Sequence, residues 1–320
     1  MFSAPNIEAA SNLIVPENLD GARLDKAIAQ MMPTLSRARI KRAIDEKAVR
    51  VNGRRLPKGA LVSKGDSIHV EAAHLVDKNA PPSATPEAPL LVRYESSNIA
   101  VVDKPAGQPT APIRPGETDT LVNAVVAAFP ELIEGKELIG YSVREPGILH
   151  RLDTDTSGLV VVARTPRAFE TMKAALKDGR LEKTYLLVCK SDGLPDDGTI
   201  EFPIANHPKD QRRVYPCIHP RDVIRYEPRP ATTEYSVQQR NGEWALVEVR
   251  VARALRHQIR AHFAAIGHPL AGDSLYGGEV VPDLDRHALH ASRVTFSGGD
   301  GVESFDVKSS LPPALARLLE

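Results

Sequence analysis

The chain has 320 residues, 42% of them hydrophobic and 26% charged, with a formal net charge of zero. That length suggests two folded units rather than one small core, no run of about 18 apolar residues offers a membrane span, and the opening MFSAPNIEAASN lacks the basic start and apolar run of a secretory signal. Cys189 and Cys217 are its two cysteines and form no CxxC pair, which argues against a disulfide framework or a zinc knuckle and suits a reducing cytoplasm.

Residues 1–17 read as an N-terminal tail. Beyond them Leu24, Ile28 and Met31 fall on one face of a helix, which Pro33 ends. Ser36 is placed to cap a second helix with Ile40 and Ile44 on its buried side, leaving Arg37, Arg39, Lys41 and Arg42 largely to exposed faces. Val49 and Val51 alternate with Arg50, Asn52-Gly53 predicts a tight hairpin turn, and GDSIHV predicts a strand with Ile68 and Val70 on one face. Residues 20–70 hold twelve Lys and Arg against five Asp and Glu, a net +7 that leaves −7 for the rest of the chain. A basic module on a mildly acidic body is the electrostatic footprint of RNA or membrane binding. In order and spacing, the RLDK opening, the SRARIKRAI helix, the VRVNG turn and the closing KGDSIHV resemble the S4 RNA-binding domain, over residues 18–72. The resemblance implies that Arg37, Arg39, Arg42 and Arg54 contact RNA, through phosphates and without reading sequence.

Residues 73–89, rich in Pro and Ala, read as a linker. In residues 90–320, strands are expected at 98–103, 158–163, 184–190, 232–238 and 244–252. Helices are expected at 120–129, after the Thr165-Pro166 cap, and from about Leu255 to Ile266. Strands and helices do not alternate strictly, so the expected class is α+β, a mainly antiparallel mixed sheet flanked by helices. No GxGxxG or GxxxxGK[ST] loop is present, which leaves dinucleotide and nucleoside-triphosphate chemistry without support.

The run LHRLDTDTSGLVVVA (149–163) crowds His150, Arg151, Asp153, Asp155, Thr156 and Ser157 against an apolar strand. Polar groups so placed are costly unless paired, which marks a candidate site. From residue types alone several chemistries remain open. Ser157, His150 and Asp153 are the components of a hydrolase triad, without the GxSxG elbow. Asp153 and Asp155 are a conceivable glycosidase pair. His257 and His262 lie five apart, not the four of a helical metal pair, so no metal is expected and His257 reads as a hydrogen-bonded structural histidine.

HRLDTDTSGLVVVA resembles the signature of the RluA family of pseudouridine synthases. VVDKPAGQPT (101–110), EKTYLLV (182–188) and RHQIRAHFAAIGHPLAGDSLYG (256–277) resemble three further motifs of that family in the same order. The match spans residues 88–300 and implies a pseudouridine synthase-like fold, isomerisation of uridine in structured RNA, and no cofactor. Large-subunit ribosomal RNA is the first substrate to consider, with transfer RNA, or a non-catalytic ribosome-assembly role, as alternatives. By resemblance Asp153 is the essential carboxylate, Arg260 its basic partner and Tyr185 the ring that stacks on the target base. Ile259 packs on that base's other side, Arg151 fills the space it vacates, and Lys183 joins the substrate-binding set. One stretch departs: Ala254-Leu255 stands where the family has Gly-Arg, with Arg253 and Arg256 flanking the change.

Overall fold

The computed structural model describes residues 12–33, 35–71, 80–113, 116–135, 137, 139–252 and 254–320. The chain divides into two compact units, residues 1–80 with 113–116 and residues 81–112 with 117–320.

In the first unit, β1 (Asn12–Ile14), α1 (Leu24–Met31), α2 (Arg37–Asp45), β2 (Val49–Val51) and β3 (Ser67–Val70) follow in order. The strands form an antiparallel sheet, β1-β3-β2. Leu24 and Ile28 of α1, Ile40 and Ile44 of α2, and Val49, Val51, Ile68 and Val70 close one core. The Ser36 hydroxyl caps α2 by accepting from Arg39 N–H at 3.3 Å. Asn52 and Gly53 take φ of 48° and 77°, as a two-residue hairpin turn requires. The Asn52 amide also ties that turn to Asp66 Oδ1 at 2.7 Å. The stretch read as a tail supplies β1, whose three residues are too few to give a periodic signal; residues 1–11 lie outside the described residues.

The second unit contains β4 (Leu91–Glu95), β5 (Ile99–Lys104), α3 (Leu121–Ala128), α4 (Glu131–Glu134), β6 (Ser157–Ala163), α5 (Pro166–Lys177), β7 (Leu181–Lys190), β8 (Asp197–Ile200), β9 (Ile204–Asn206), β10 (Val214–Pro216), α6 (Pro220–Tyr226), β11 (Thr233–Asn241), β12 (Trp244–Arg250), α7 (Gln258–Ala265), β13 (Leu289–Phe296) and β14 (Phe305–Lys308). Nine strands form one sheet in the order β4-β5-β6-β13-β7-β12-β11-β8, with β14 also on β13, and β9 and β10 pair separately. The sheet is antiparallel except between β6 and β13, where His290 lies opposite Ser157 and Ala291 opposite Gly158. Every residue of β6 is buried, which accounts for its unbroken apolar run. The linker expected at 73–89 divides differently. Residues 72–79 lie outside the described residues, while the next stretch is held on α3, with Asn123 Nδ2 donating to Ser83 O at 2.8 Å and Thr85 N–H to Asn123 O at 3.1 Å. The third expected helix starts at Gln258 rather than Leu255, because His257 sits in the left-handed region at φ 54° and cannot continue a helix.

The parallel junction depends on a glycine. Gly158 has φ +116°, and a Cβ there would lie 2.3 Å from the Ala291 carbonyl oxygen. Gly158→Ala should therefore destabilise the protein by roughly 3 kcal/mol or more. Gly53→Ala, at φ +77° with no atom within 4 Å of the new Cβ, should cost only about 1 kcal/mol. Urea denaturation of the two variants checks the contrast; equal midpoints would show that the strand junction tolerates a side chain.

Candidate active site

Asp153 lies in the short loop that leads into β6, and the backbone on both sides of it is held. Thr110 Oγ1 donates to Leu152 O at 2.7 Å and accepts from Leu152 N–H at 3.1 Å. On the other side Lys104, at the end of β5 and 0% exposed, donates from Nζ to Thr154 O at 2.8 Å. Its other two protons go to Pro105 O at 2.8 Å and Gln108 O at 2.7 Å, so each proton of the ammonium meets a carbonyl. Burial pushes Lys104 down to about 7, and Asp155 and Asp153 pull against that shift. Thr156 closes the loop, with N–H on Asp153 O at 3.1 Å and Oγ1 2.7 Å from His287 Nε2.

Arg260, on α7, reaches this loop from 107 residues away. Its Nη1 donates to Asp153 Oδ2 at 2.9 Å, while Nε and Nη2 form a fork on Asp273 at 2.7 and 2.8 Å. Asp273 is 1% exposed at its side chain and Arg260 7%, so the guanidinium is fixed before any ligand arrives. Burial opposes its charge, but the hydrogen bonds and charge of Asp273, with those of Asp153, hold its pKa above the ordinary value. The Arg260 guanidinium also lies 5.2 Å from the Tyr276 ring centroid. Tyr276 Oη accepts from Val214 N–H at 2.8 Å and lies 3.0 Å from His257 Nδ1. His257 Nε2 is in turn 3.6 Å from Asp153 Oδ2. Burial lowers the His257 pKa against the pull of Asp153, which favours the neutral ring.

Asp153, Arg260, Tyr185 and Ile259 line one narrow cleft together with Arg151, His257 and Leu289. Tyr185 is 4% exposed, and burial, then the Asp153 charge, raises its phenol above the ordinary tyrosine value. It therefore stays protonated at neutral pH. Arg151 is exposed at the cleft and ion-paired to Glu145 at 2.8 Å. Lys183 is 5% exposed and lines a different cavity, with Thr232, Arg250 and Val251. Its position on the inward face of β7 makes it a buried residue rather than a solvated strand lysine, and burial pushes it down to about 8. In the first unit Arg37, Arg42 and Arg54 are exposed and Arg39 is half-buried.

The structure parts the components of the alternative sites. Ser157 Oγ meets His290 Nδ1 at 2.9 Å, whereas His150 Nε2 accepts from Val161 N–H at 3.3 Å. Asp155 is exposed. His262 is held by Thr233 Oγ1 at 2.9 Å and Phe202 O at 2.8 Å, well apart in role from His257. Among the described residues no group of three or more His, Cys, Asp and Glu is placed to hold a metal ion. Asp273, Tyr276 and Lys104 carry no assignment from sequence although each lies inside a quoted motif. The usable signals were an acidic residue after a glycine in GDSLYG and a lysine closing an otherwise apolar strand. Arg253 lies outside the described residues; Ala254 and Leu255 line the cleft, and Leu255 donates its N–H to Gln258 Oε1 at 3.0 Å.

Residues 98–265 match the family described as RNA pseudouridylate synthase, and residues 22–68 match the S4 domain. The chain is 32% identical to ribosomal large subunit pseudouridine synthase D of Nitrosomonas europaea, over 98% of this chain and 88% of that protein. It is 33% identical to the protein of the same name from Yersinia pestis, over 87% of this chain and 84% of that one. Among solved structures, human RNA pseudouridylate synthase domain containing 1 superposes with a TM-score of 0.54 at 24% identity, covering 71% of this chain and 86% of that one, which speaks for the fold.

The fork on Arg260 gives a direct test of the geometry. Asp273→Asn removes one charge of a buried pair and should cost about 3–5 kcal/mol, read as a fall in Tm. Asp153→Asn, at a side chain 22% exposed, should cost about 1 kcal/mol or less. A larger loss for Asp153→Asn would mean that Asp153, not Asp273, anchors the guanidinium.

Proposed function

The chain belongs to the RNA pseudouridylate synthase family, and on that premise we propose that it isomerises specific uridines to pseudouridine in large-subunit ribosomal RNA, with Asp153 as the essential carboxylate. The single observation that carries the residue assignment is the 2.9 Å contact between Asp153 Oδ2 and Arg260 Nη1 in a cleft that also holds Tyr185 and Ile259. The substrate class rests on the named relatives, and a cytoplasmic location is part of the same proposal.

The reaction breaks the N1–C1′ bond of uridine, turns the base and joins C5 to C1′, with the C5 proton released to N1 or solvent. Atoms and electrons balance without oxidant or energy source. Asp153 acts in its ionised form, either attacking C1′ or removing a sugar proton, and Arg260 supplies the compensating positive charge. An arginine suits this place because it remains charged when buried and its planar fork serves two carboxylates at once. Tyr185 presents a flat ring to the flipped base, and with its raised pKa its hydroxyl is a donor rather than a base. Ile259 forms the apolar wall. The nucleotide leaves its stack at a cost of a few kcal/mol, offset by contacts in the cleft. Arg151, at the rim, is positioned to take the vacated space once its bond to Glu145 opens. Lys183 joins the substrate-binding set from the cavity that it lines with Thr232, Arg250 and Val251. In the first unit Arg37, Arg39, Arg42 and Arg54 hold RNA by its phosphates.

Asp153→Asn should lower pseudouridine formation on large-subunit ribosomal RNA at least about 10³-fold while leaving RNA affinity within about twofold. Mass-neutral conversion of uridine, followed chemically or by nuclease mapping, is the measurement, and substantial turnover by the variant would remove Asp153 from the reaction. Replacing Arg37, Arg39, Arg42 and Arg54 together by Ala should raise KM and flatten the salt dependence of affinity, with single-turnover rates at saturating RNA near normal. Superimposable salt series for the two proteins would mean that this face does not hold the substrate.

A further inference from the structure

The excursion between β8 and β11 has a charge unlike that of the unit it belongs to. Residues 207–229 contain Lys209, Arg212, Arg213, Arg221, Arg225 and Arg229 against Asp210, Asp222 and Glu227. The remaining residues of the second unit hold 21 Lys and Arg against 29 Asp and Glu. Two of the three acids are already engaged: Asp210 pairs with Arg212 at 3.0 Å, and Asp222 is buried and accepts from Tyr215 Oη at 3.0 Å. Arg221, Arg225 and Arg229 are exposed, and among the described residues none has a carboxylate within 4 Å. Arg221, Ile224 and Arg225 share one face of α6 by their i, i+3, i+4 spacing, and Ile224 is 84% exposed. Two guanidiniums without carboxylate partners on one short helix face are suited to phosphates, and Ile224 between them offers an apolar surface to a ribose or base edge.

This arm is tied to the catalytic cleft. Arg256, next to His257, donates from Nη2 to Gln211 O at 2.9 Å and Arg213 O at 2.8 Å. Val214 N–H donates to Tyr276 Oη, the hydroxyl that also meets His257. Arg212 lines the same cavity as Asp153, His257 and Arg260. Arg212 therefore stands beside a nucleotide held at Asp153, and Arg221, Arg225 and Arg229 lie further along the same excursion.

We propose that residues 207–229 form a second RNA-contacting surface, on the catalytic unit itself, whose arginines take the phosphates flanking the nucleotide held at Asp153. The proposal rests on the reading of the cleft as a uridine-in-RNA site, and it assigns to α6 and the β9–β10 hairpin a binding role separate from that of the first unit.

The experiment uses the full-length protein with Arg221, Arg225 and Arg229 all changed to Ala, and a control with Lys173, Lys308 and Arg317, exposed on the same unit, changed to Ala. The probe is large-subunit ribosomal RNA transcribed in vitro, with affinity followed across a salt series. Loss of three phosphate contacts should reduce the slope of log affinity against log salt by about 2 and weaken binding about tenfold or more at low salt. The control should follow the unsubstituted protein, and both variants should keep its melting temperature. Single-turnover rate at saturating RNA should be unchanged, with the loss confined to KM. If the arginine variant binds with unchanged affinity and slope, the arm does not touch RNA and its cations face a protein. Equal weakening by the control would likewise overturn the proposal, since any cation would then serve. Binding is read without turnover, so a protein that forms no pseudouridine still tests the arm, and a failed arm leaves the activity assay standing.

Discussion

Three backbone carbonyls converge on one buried ammonium, and the placement of the catalytic loop follows from it. Lys104 joins the turn after β5, through Pro105 and Gln108, to Thr154, the residue after Asp153. Thr110, a few residues beyond the same turn, grips Leu152, the residue before Asp153. One turn thus fixes the peptide on both sides of the carboxylate, and side-chain freedom at Asp153 reduces to two torsions. The arrangement explains why a lysine is tolerated fully buried at the end of β5. A hydrogen-bonded cation costs far less to bury than a bare one, and here every proton has an acceptor.

Electrostatics divides the work in the same way. Arg260 stands between two carboxylates, so the trio carries a net negative charge and cannot itself attract a polyanion. Asp273 takes two of the guanidinium's donor groups and leaves one for Asp153. That asymmetry holds the arginine in place while leaving Asp153 partly exposed to the cleft. Attraction of RNA then falls to cations elsewhere, and the molecule has them concentrated in residues 20–70 and 207–229 on an otherwise acidic chain.

Much of this was legible in the sequence, by two different routes. Local rules found the helices: Ser36 and Thr165 both cap as their residue types suggest, and the Asn52-Gly53 turn has the positive φ values that its composition implies. The pairing of Asp153 with Arg260 came from motif resemblance, since no periodicity relates residues 107 apart. Other features escaped both routes. β13 is central in the sheet, yet its LHASRVTF mixes His, Ser and Arg with apolar residues: Ser157 and Thr184 O meet His290 and Ser292 inside the sheet, and Arg293 is exposed and pairs with Asp306. The left-handed turn at His257 escaped because histidine adopts positive φ only occasionally and no turn residue accompanies it. Asp273 follows a glycine in GDSLYG, but its burial is explained only by the cation that folding brings to it.

Among the described residues, the hydrogen bonds that hold the Asp153 loop come from Lys104, Thr110, Arg260 and His287. The hydrogen bonds of the Asp153 loop thus draw on none of the exposed Arg221, Arg225 and Arg229, so sequence drift at those three positions leaves that loop's bonding unaltered.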